Sequence, residues 1–246
     1  MKKLTEKKLK ILWIAAALLL LTAAALILNG YSAHRVAPLR QEVLDGLDLS
    51  QTDKLMIVAH PDDETIWGGA HLLDGGYLVV CITNGRNRTR AAEFRSAVEK
   101  TGNIPLILEY PDKVNFIRDN WNRVRGGIED DLKKVIALKK WSLIVTHNPK
   151  GEYGHIHHKM TNALTVRAYD DMQCEAELYV FGDYYKAADL PAVKEKLETV
   201  GDEALRKKKE ICAGYASQKD VMDKLCHMFP YENWVLYAEC NRKDAA

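Results

Sequence analysis

The sequence predicts an α/β fold, in which helices cover both faces of a mostly parallel sheet, together with one transmembrane helix at the N-terminus. The sheet is indicated by continuous apolar runs that alternate with amphipathic helical stretches from residue 55 onward, as in parallel strands buried on both faces. The helix is indicated by an earlier uncharged run. The chain has 246 residues, of which 47% are hydrophobic and 28% charged, so it can bury a core and is not a disordered polymer.

Residues 11–28 form the apolar run, which contains one hydroxyl group and no charge. A helix of this length just crosses a hydrocarbon core about 30 Å thick. Five lysines precede it within residues 1–10, which places the N-terminus in the cytoplasm by the positive-inside rule. We therefore expect a basic cytoplasmic stub over 1–10, a membrane anchor over 11–28, a linker over 29–52 and an extracellular body.

A cleaved signal peptide is the alternative interpretation of the same segment. The apolar part of a signal peptide is usually about 7–15 residues long and is followed by small residues at the cleavage site. Here the run is longer and ends in Leu28 and Asn29, which favours a retained anchor.

The body after residue 53 alternates predicted strands with predicted helices, and Gly or Asn residues stand at many of the boundaries. The chain beyond residue 29 carries a net charge of −3, which argues against nucleic acid as a partner. None of the five cysteines forms a C-x-x-C pair, so a thiolate zinc site is unsupported. We predict strands at 55–59, 77–83, 104–108, 141–146 and 178–181, helices at 63–73, 90–101, 128–138 and 158–172, and a mostly helical region over 190–225.

Two polar segments follow two of these strands. The sequence A-H-P-D-D-E occupies residues 59–64, after the first strand, and H-N-P-K-G-E-Y-G-H-I-H-H occupies residues 147–158, after the fourth. Five of the eight histidines lie in these segments. Because ligands of open parallel sheets bind beyond the carboxyl ends of the strands, we expect the two segments to form one site.

The side chains in these segments suit a metal-dependent hydrolase. His60, Asp63 and His158 offer two imidazoles and one carboxylate, a ligand set of catalytic zinc that leaves a position for water. Asp62 is then free to take a proton from that water, and His155 could donate to the developing oxyanion or the leaving amine. The structural alternative is that Asp62 and Asp63 only cap a helix.

At these residues the sequence resembles the PIG-L/LmbE-like de-N-acetylases, which are zinc-dependent hydrolases that remove acetyl groups from N-acetylglucosamine-type substrates. The resemblance covers about residues 53–220 and implies a Rossmann-like deacetylase domain, which we place at 53–240. It rests on A-H-P-D-D-E, on the later G-H-x-x-H, and on three shorter matches: Thr83-Asn84-Gly85, Arg90-x-x-Glu93 and Tyr215-Ala216-Ser217-Gln218.

The resemblance also implies roles for individual residues. The Zn²⁺ ligands would be His60, Asp63 and His158, and the general base would be Asp62. His155 would be the electrophile or acid, Tyr153 would reach the tetrahedral intermediate, and Arg90 would bind the substrate, an N-acetylated amino sugar or glycan. Alternatively, Arg90 pairs with Glu93 on the helix surface.

One position departs from the family pattern. The family commonly reads His-Pro-Asp-His where this chain reads His155-Ile156-His157-His158. His157 and His158 therefore compete as the third ligand; the family register favours His158, and we expect His157 to point away from the metal. In the irregular stretch 111–125, Trp121 either stacks on a sugar or packs beneath its own loop.

Three alternatives remain at this point. The same site would serve an amidase acting on another small amide conjugate, and the change at position 157 would suit a non-catalytic, glycan-binding relative. Some eukaryotic members of the resembled family are held on the cytoplasmic face of the endoplasmic reticulum by a similar helix, whereas the lysines of this chain favour the opposite orientation.

Overall fold

The computed structural model describes residues 2–243 and is built around one six-stranded sheet. Five strands are parallel, and the last pairs antiparallel with its neighbour at one edge. The strand order is β3-β2-β1-β6-β7-β8, and a separate two-stranded hairpin supplies β4 and β5. The strands are β1 (Lys54–Val58), β2 (Tyr77–Thr83), β3 (Ile104–Tyr110), β4 (Lys113–Val114), β5 (Ile117–Arg118), β6 (Leu143–Thr146), β7 (Glu177–Val180) and β8 (Val235–Leu236).

The five strands predicted from sequence correspond to β1, β2, β3, β6 and β7, so the mostly parallel α/β architecture is confirmed. The hairpin β4–β5 and the edge strand β8 were not predicted. The helices are α1 (Lys2–Ala33), α2 (Gln41–Asp45), α3 (Asp63–Leu72), α4 (Arg88–Lys100), α5 (Arg125–Ile136), α6 (Ile156–Asp171), α7 (Asp202–Cys212), α8 (Lys219–Leu225) and α9 (Tyr237–Lys243).

Alternate residues of each strand enter opposite faces of the sheet and form two separate cores. Leu55 and Ile57 of β1 pack on one face with apolar residues of α5 and α6. Met56 and Val58 pack on the other face with apolar residues of α3, α4 and α7. Burial on both faces explains why the strands read as continuous apolar runs.

Helix α1 is long and apolar enough to cross a membrane over Thr5–Ala33, and none of that window is buried against the rest of the chain. A signal sequence near the N-terminus can meet the same criterion of length and hydropathy. Of the predicted basic stub, Met1 and the side chains of residues 2–4 lie outside the described part of the chain.

The segment between α1 and β1 packs on the body. Leu44 of α2 is buried in the core, and the Leu39 N–H lies 3.0 Å from both carboxylate oxygens of Asp131. These contacts hold the segment predicted as a linker against α5.

The strand order reverses at β1, which has β2 on one side and β6 on the other. Chain connections leave β1 and β6 in opposite directions, so a crevice opens beyond their carboxyl ends. The segments 59–64 and 147–158 begin at these two ends, and the topology therefore brings them together.

Candidate metal centre

Four histidine rings meet in the crevice between β1 and β6. The His60 ring centroid lies 4.7 Å from that of His155, 5.2 Å from that of His157 and 5.4 Å from that of His158. All except His155 are buried. The two segments that the sequence predicted to form one site are therefore in direct contact.

The carboxylate of Asp63, in the first turn of α3, lies at the centre of this cluster. Its Oδ2 accepts a hydrogen bond from the His60 N–H at 2.8 Å and lies 3.1 Å from His60 Nδ1. Its Oδ1 lies 3.2 Å from His158 Nε2. Although burial raises the pKa of Asp63, the surrounding histidines hold it well below its usual value. Asp63 is thus ionised and joins the two histidines predicted as ligands.

Glu152 sets the hydrogen positions of His158 and His147. Its Oε2 lies 2.5 Å from His158 Nδ1 and 3.0 Å from His147 Nδ1. A carboxylate can only accept, so both imidazoles carry their hydrogen on Nδ1. The Ala59 N–H donates to His147 Nε2, in agreement with this assignment. The buried Nε2 of His158 has no hydrogen-bond partner and faces Asp63.

A second chain of hydrogen bonds sets the hydrogen positions of His60. His157 Nε2 lies 2.7 Å from the carbonyl oxygen of Asp119, which only accepts, so His157 carries its hydrogen there. The bare Nδ1 of His157 then accepts from His60 Nε2 at 3.0 Å, a shorter contact than the 3.4 Å from that nitrogen to Arg118. This assignment leaves His60 Nδ1 as a bare lone pair facing Asp63.

Asp63 therefore stands between His60 Nδ1 and His158 Nε2, an arrangement that a cation would stabilise. Burial lowers the pKa of His158, but Asp63 and Glu152 raise it to about 10, so a proton on Nε2 faces Asp63 unless a cation takes the place of that proton. Two nitrogens and a carboxylate suit Zn²⁺ or a similar divalent ion. Within the described residues, compact groups of potential metal ligands include His60/His155/His158, His60/Asp112/His157 and Asp63/His147/His158.

Asp62 precedes α3 and lies beside the predicted ligands, with a strained backbone. Its φ of 120° is rare for any residue other than glycine. Burial and the neighbouring Asp63 raise its pKa well above the usual value, while Arg90 lowers it. Arg90 Nη2 lies 3.5 Å from the Asp62 carboxylate and donates to the Pro61 carbonyl at 2.8 Å. A carboxylate with a raised pKa suits a general base.

Arg90 therefore faces the site. Glu93, its alternative partner, instead accepts from the Ser217 N–H at 2.8 Å and from the Ser217 hydroxyl. This contact joins two of the short matches to the resembled family, Arg90-x-x-Glu93 and Tyr215-Ala216-Ser217-Gln218.

His155 and Tyr153 lie on the open side of the cluster. His155 caps α6, because its Nδ1 accepts from the His157 N–H at 3.2 Å, and so its hydrogen is on Nε2. Burial and the nearby His60 lower the pKa of His155 to about 2, so it is a neutral donor. The half-exposed Tyr153 ring lies 5.5 Å from that of His158, and burial raises its pKa, which keeps the phenol protonated.

The orientation expected for His157, away from the metal, stays a prediction. Its ring is buried and points at His60, because residues 155, 157 and 158 all border the crevice at the first turn of α6. Trp121 explains how the ring is held: it is buried beneath its own loop and stacks on His157 with centroids 4.1 Å apart. Trp121 is therefore packed beneath its own loop, and its ring is not accessible for stacking on a sugar.

Sequence reasoning assigned no role to four further side chains at the site. Glu152 and His147 lie within the second motif segment, so their proximity to the other histidines was a usable signal. Asp112 and Arg118 lie in the irregular stretch, where nothing in the sequence marked them. The Asp112 carboxylate lies 3.5 Å from His60 Nε2 and pairs with both Arg118 and Arg90.

Comparisons with known proteins agree with this geometry. Residues 55–169 match the family model PIG-L, described as GlcNAc-PI de-N-acetylase, and this range contains both motif segments. The chain is also 34% identical over 139 residues to an uncharacterised protein of Acanthamoeba polyphaga mimivirus. That alignment covers 50% of this chain and 60% of the viral protein. The family match suggests hydrolysis of the de-N-acetylase type.

Proposed function

We propose that this protein is a zinc-dependent hydrolase that removes the N-acetyl group from an N-acetylglucosamine-type sugar or glycoconjugate and releases acetate. The observation that carries the proposal is the Asp63 carboxylate between His60 Nδ1 and His158 Nε2, with the strained Asp62 beside it. The match of residues 55–169 to the PIG-L model supports the reaction type.

His60, Asp63 and His158 would hold the ion. A bound divalent cation supplies a water of lowered pKa and polarises the acetamide carbonyl. Glu152 and His157 turn the ligand nitrogens towards the ion, by accepting from His158 Nδ1 and His60 Nε2 respectively. Such partners of metal ligands fix ring orientation and tautomer.

Asp62 accepts the proton of the attacking water, a role that suits its raised pKa. Arg90 holds the Asp62 loop through the Pro61 carbonyl and keeps the carboxylate within 3.5 Å of its guanidinium. When the C–N bond breaks, Asp62 returns this proton to the departing amine, and acetate leaves with the oxygen of the water.

His155 and Tyr153 act on the carbonyl oxygen. His155 presents the Nε2–H of a neutral imidazole on the open side of the cluster, and the protonated phenol of Tyr153 lies beside it. Donors placed where negative charge develops stabilise the transition state more than the substrate.

A sugar is the substrate that the walls of the opening suit. The ring of Tyr153 is exposed at this opening, and the half-buried Tyr184 and the buried Trp67 stand next to it, with centroids 5.8–6.4 Å apart. Aromatic faces pack against the apolar face of a sugar ring, while Arg118 and Arg90 offer donors to its hydroxyl groups.

We also propose that α1 anchors the protein in a membrane, with the N-terminus in the cytoplasm and the body outside. The uncharged run 11–28 and the lysines before it support this orientation.

The test of the proposed reaction measures acetate release and zinc content together. Asp62→Asn should retain zinc and lose about 10²–10⁴-fold in acetate release, since it removes only the base. His158→Ala should lose zinc. Asp170→Asn, an exposed carboxylate at the far end of α6, is the matched control and should change neither.

The rival functions predict different results. Full acetate release by Asp62→Asn would contradict the general base. A zinc-loaded wild-type protein that binds glycans but releases no acetate would be a glycan-binding relative. Activity on other small amides, with none on N-acetylated sugars, would identify an amidase.

A further inference from the structure

The hairpin β4–β5 carries two exposed apolar side chains at its tip. Phe116 is 98% exposed and Ile117 is 72% exposed. Outside α1, no other large hydrophobic side chain among those described between residues 34 and 240 is as exposed as these two. Adjacent apolar side chains in this position mark an interaction surface.

The backbone of the tip is strained to present Phe116. Asn115 and Phe116 form the two-residue turn, with φ of 51° and 67°. Turns with two positive φ values prefer Asn followed by Gly, because a bulky side chain is unfavourable at the second position. A phenylalanine stands where glycine would be unstrained, yet it packs on nothing within the body. An exposed aromatic side chain held in a strained turn favours a contact outside the body.

Helix α1 identifies the neighbour of this tip. Asn115 Nδ2 donates to the Leu26 carbonyl at 3.0 Å, and Asn29 Nδ2 donates to Asn115 Oδ1 at 2.7 Å. Leu26 lies inside the apolar run 11–28, two residues before its end, or about 3 Å along the helix axis. The tip is thus level with the last part of the segment that would lie in the membrane.

Further bonds fix this placement. His34 Nε2 lies 2.7 Å from Asp119 Oδ2, and Arg86 donates to the carbonyl oxygens of Ser32 and Arg35. The end of α1 is therefore tied to the body through Asp119 and Arg86, in addition to the hairpin. A cavity of about 610 Å³ lies between α1 and the hairpin, lined by Leu26, Ile27, Val114 and Ile117 among others.

Basic side chains border the same surface. Lys113 precedes the tip and Arg123 lines the cavity, and both are exposed. An apolar tip flanked by cations matches a lipid bilayer, whose acyl chains lie beneath a layer of phosphate groups.

We propose that the hairpin β4–β5 inserts Phe116 and Ile117 into the lipid surface at the end of α1, as a second membrane contact. This inference rests on the proposed anchoring role of α1 and is independent of the proposed reaction. It also joins the lipid surface to the site, because Arg118, directly after Ile117, contacts Asp112 and lies 3.4 Å from His60 Nε2. The metal centre is thereby held close to the bilayer.

The experiment uses the full chain in vesicles of phosphatidylcholine and phosphatidylglycerol. Photoreactive p-benzoylphenylalanine replaces Phe116, and separately Ile117, Leu19 or Met172, and mass spectrometry identifies the adducts after illumination. Leu19 lies within the apolar run of α1, whereas Met172 is an exposed apolar residue at the opposite edge of the sheet. We expect lipid adducts at positions 19, 116 and 117, at several-fold the yield at 172.

The other outcomes separate the hypotheses. Lipid adducts at position 19 with none at 116 and 117 would overturn the proposal, and covalent dimers at 116 would replace lipid with a second copy of this chain. An absence of lipid adducts at position 19 would overturn the anchor and, with it, this inference. The readout does not involve hydrolysis, so failure of the proposed reaction would leave the result intact.

Discussion

His157 stands where the resembled family has an aspartate, and it takes over the work of an acceptor. It receives a hydrogen bond from His60 Nε2 and donates to the Asp119 carbonyl, while Trp121 holds its ring in place. The side chain at position 157 orients His60 in this chain, because the Nδ1 of His157 accepts the hydrogen bond from His60 Nε2. A histidine at this position is therefore compatible with an intact metal site.

We predict that His157→Phe weakens zinc binding by about 10–100-fold, the usual effect of removing a partner of a metal ligand. The substituted ring still stacks on Trp121 but cannot accept from His60. Competition with a chelator measures the zinc affinity, and His157→Asn, which retains an acceptor, should recover part of it. Equal affinities for wild type and His157→Phe would show that His60 needs no such partner.

Asp62 combines a functional side chain with an unfavourable backbone. Its φ of 120° and ψ of −35° lie in a region open to glycine and costly for other residues. The strain fixes the carboxylate beside the predicted zinc ligands, and we expect it to reduce stability.

We therefore predict that Asp62→Gly is more stable than Asp62→Ala by about 1 kcal/mol or more, because glycine relieves the strain. Both variants lose the carboxylate, so their difference isolates the backbone. Thermal unfolding in detergent measures it. At Ser96, which is exposed on α4, the alanine variant should be more stable than the glycine variant, as is usual in a helix. An alanine variant that is also the more stable one at position 62 would argue against backbone strain there.

The residues that sequence reasoning found and missed differ in a physical way. His60, Asp63, His155 and His158 could be placed together because each follows a strand end, and strand ends share an edge. Asp112 reaches His60 across 52 positions through the irregular stretch, and no local pattern encodes such a contact. The orientation of His157 depended equally on Trp121, which lies 36 positions away.

At the scale of elements, a buried ion pair fastens α3 to α7 and to the C-terminal segment. Glu232 accepts from the Ala70 and His71 N–H groups of α3 and from Lys208 Nζ of α7 at 2.6 Å. Lys208 also donates to the Ile66 carbonyl. Although burial raises the pKa of Glu232, Lys208 and the other donors hold it down to about 2.

We predict that Glu232→Gln lowers the free energy of unfolding at pH 7 by about 3–5 kcal/mol, because the Lys208 charge stays buried without a counterion. Folding lowers the pKa of Glu232, so its carboxylate stabilises the folded state in full only above its pKa in the unfolded chain, near 4.5. This stabilisation declines as the pH falls towards 2. The difference between variant and wild type should therefore shrink below about pH 4.5.

Chemical denaturation at several pH values measures this dependence. The control is Glu210→Gln, whose exposed carboxylate pairs with Arg206 and should contribute little at any pH. A difference of constant size between pH 7 and pH 3 would contradict ionisation of Glu232 as its source.

Elements were predictable in proportion to their length. The strands of four to seven residues have buried apolar runs that the sequence displays, whereas β4, β5 and β8 contain two residues each. Two residues carry no periodicity, and the turn of the hairpin lacks the glycine that usually marks it. These short strands form through pairing with a neighbouring strand: β4 pairs with β5, and β8 pairs with β7.

For the molecule as a whole, the proposed orientation across the membrane rests on charge. Lysines before the apolar run should keep the N-terminus in the cytoplasm, with the metal centre on the other side. We predict that protease added to intact cells degrades the body and spares an epitope attached to the N-terminus. Immunoblotting detects both ends, and a protected body in intact cells, degraded only after lysis, would reverse the orientation.

The sheet keeps all of its candidate chemistry at one edge, which leaves the opposite edge free for other uses. The turn at Gly75 and Gly76 lies there, directly before β2, and a Cβ at Gly75 would meet nothing within 4 Å. A fluorescent reporter grafted into this turn would stand clear of both catalysis and lipid. The protein could then be followed in living cells.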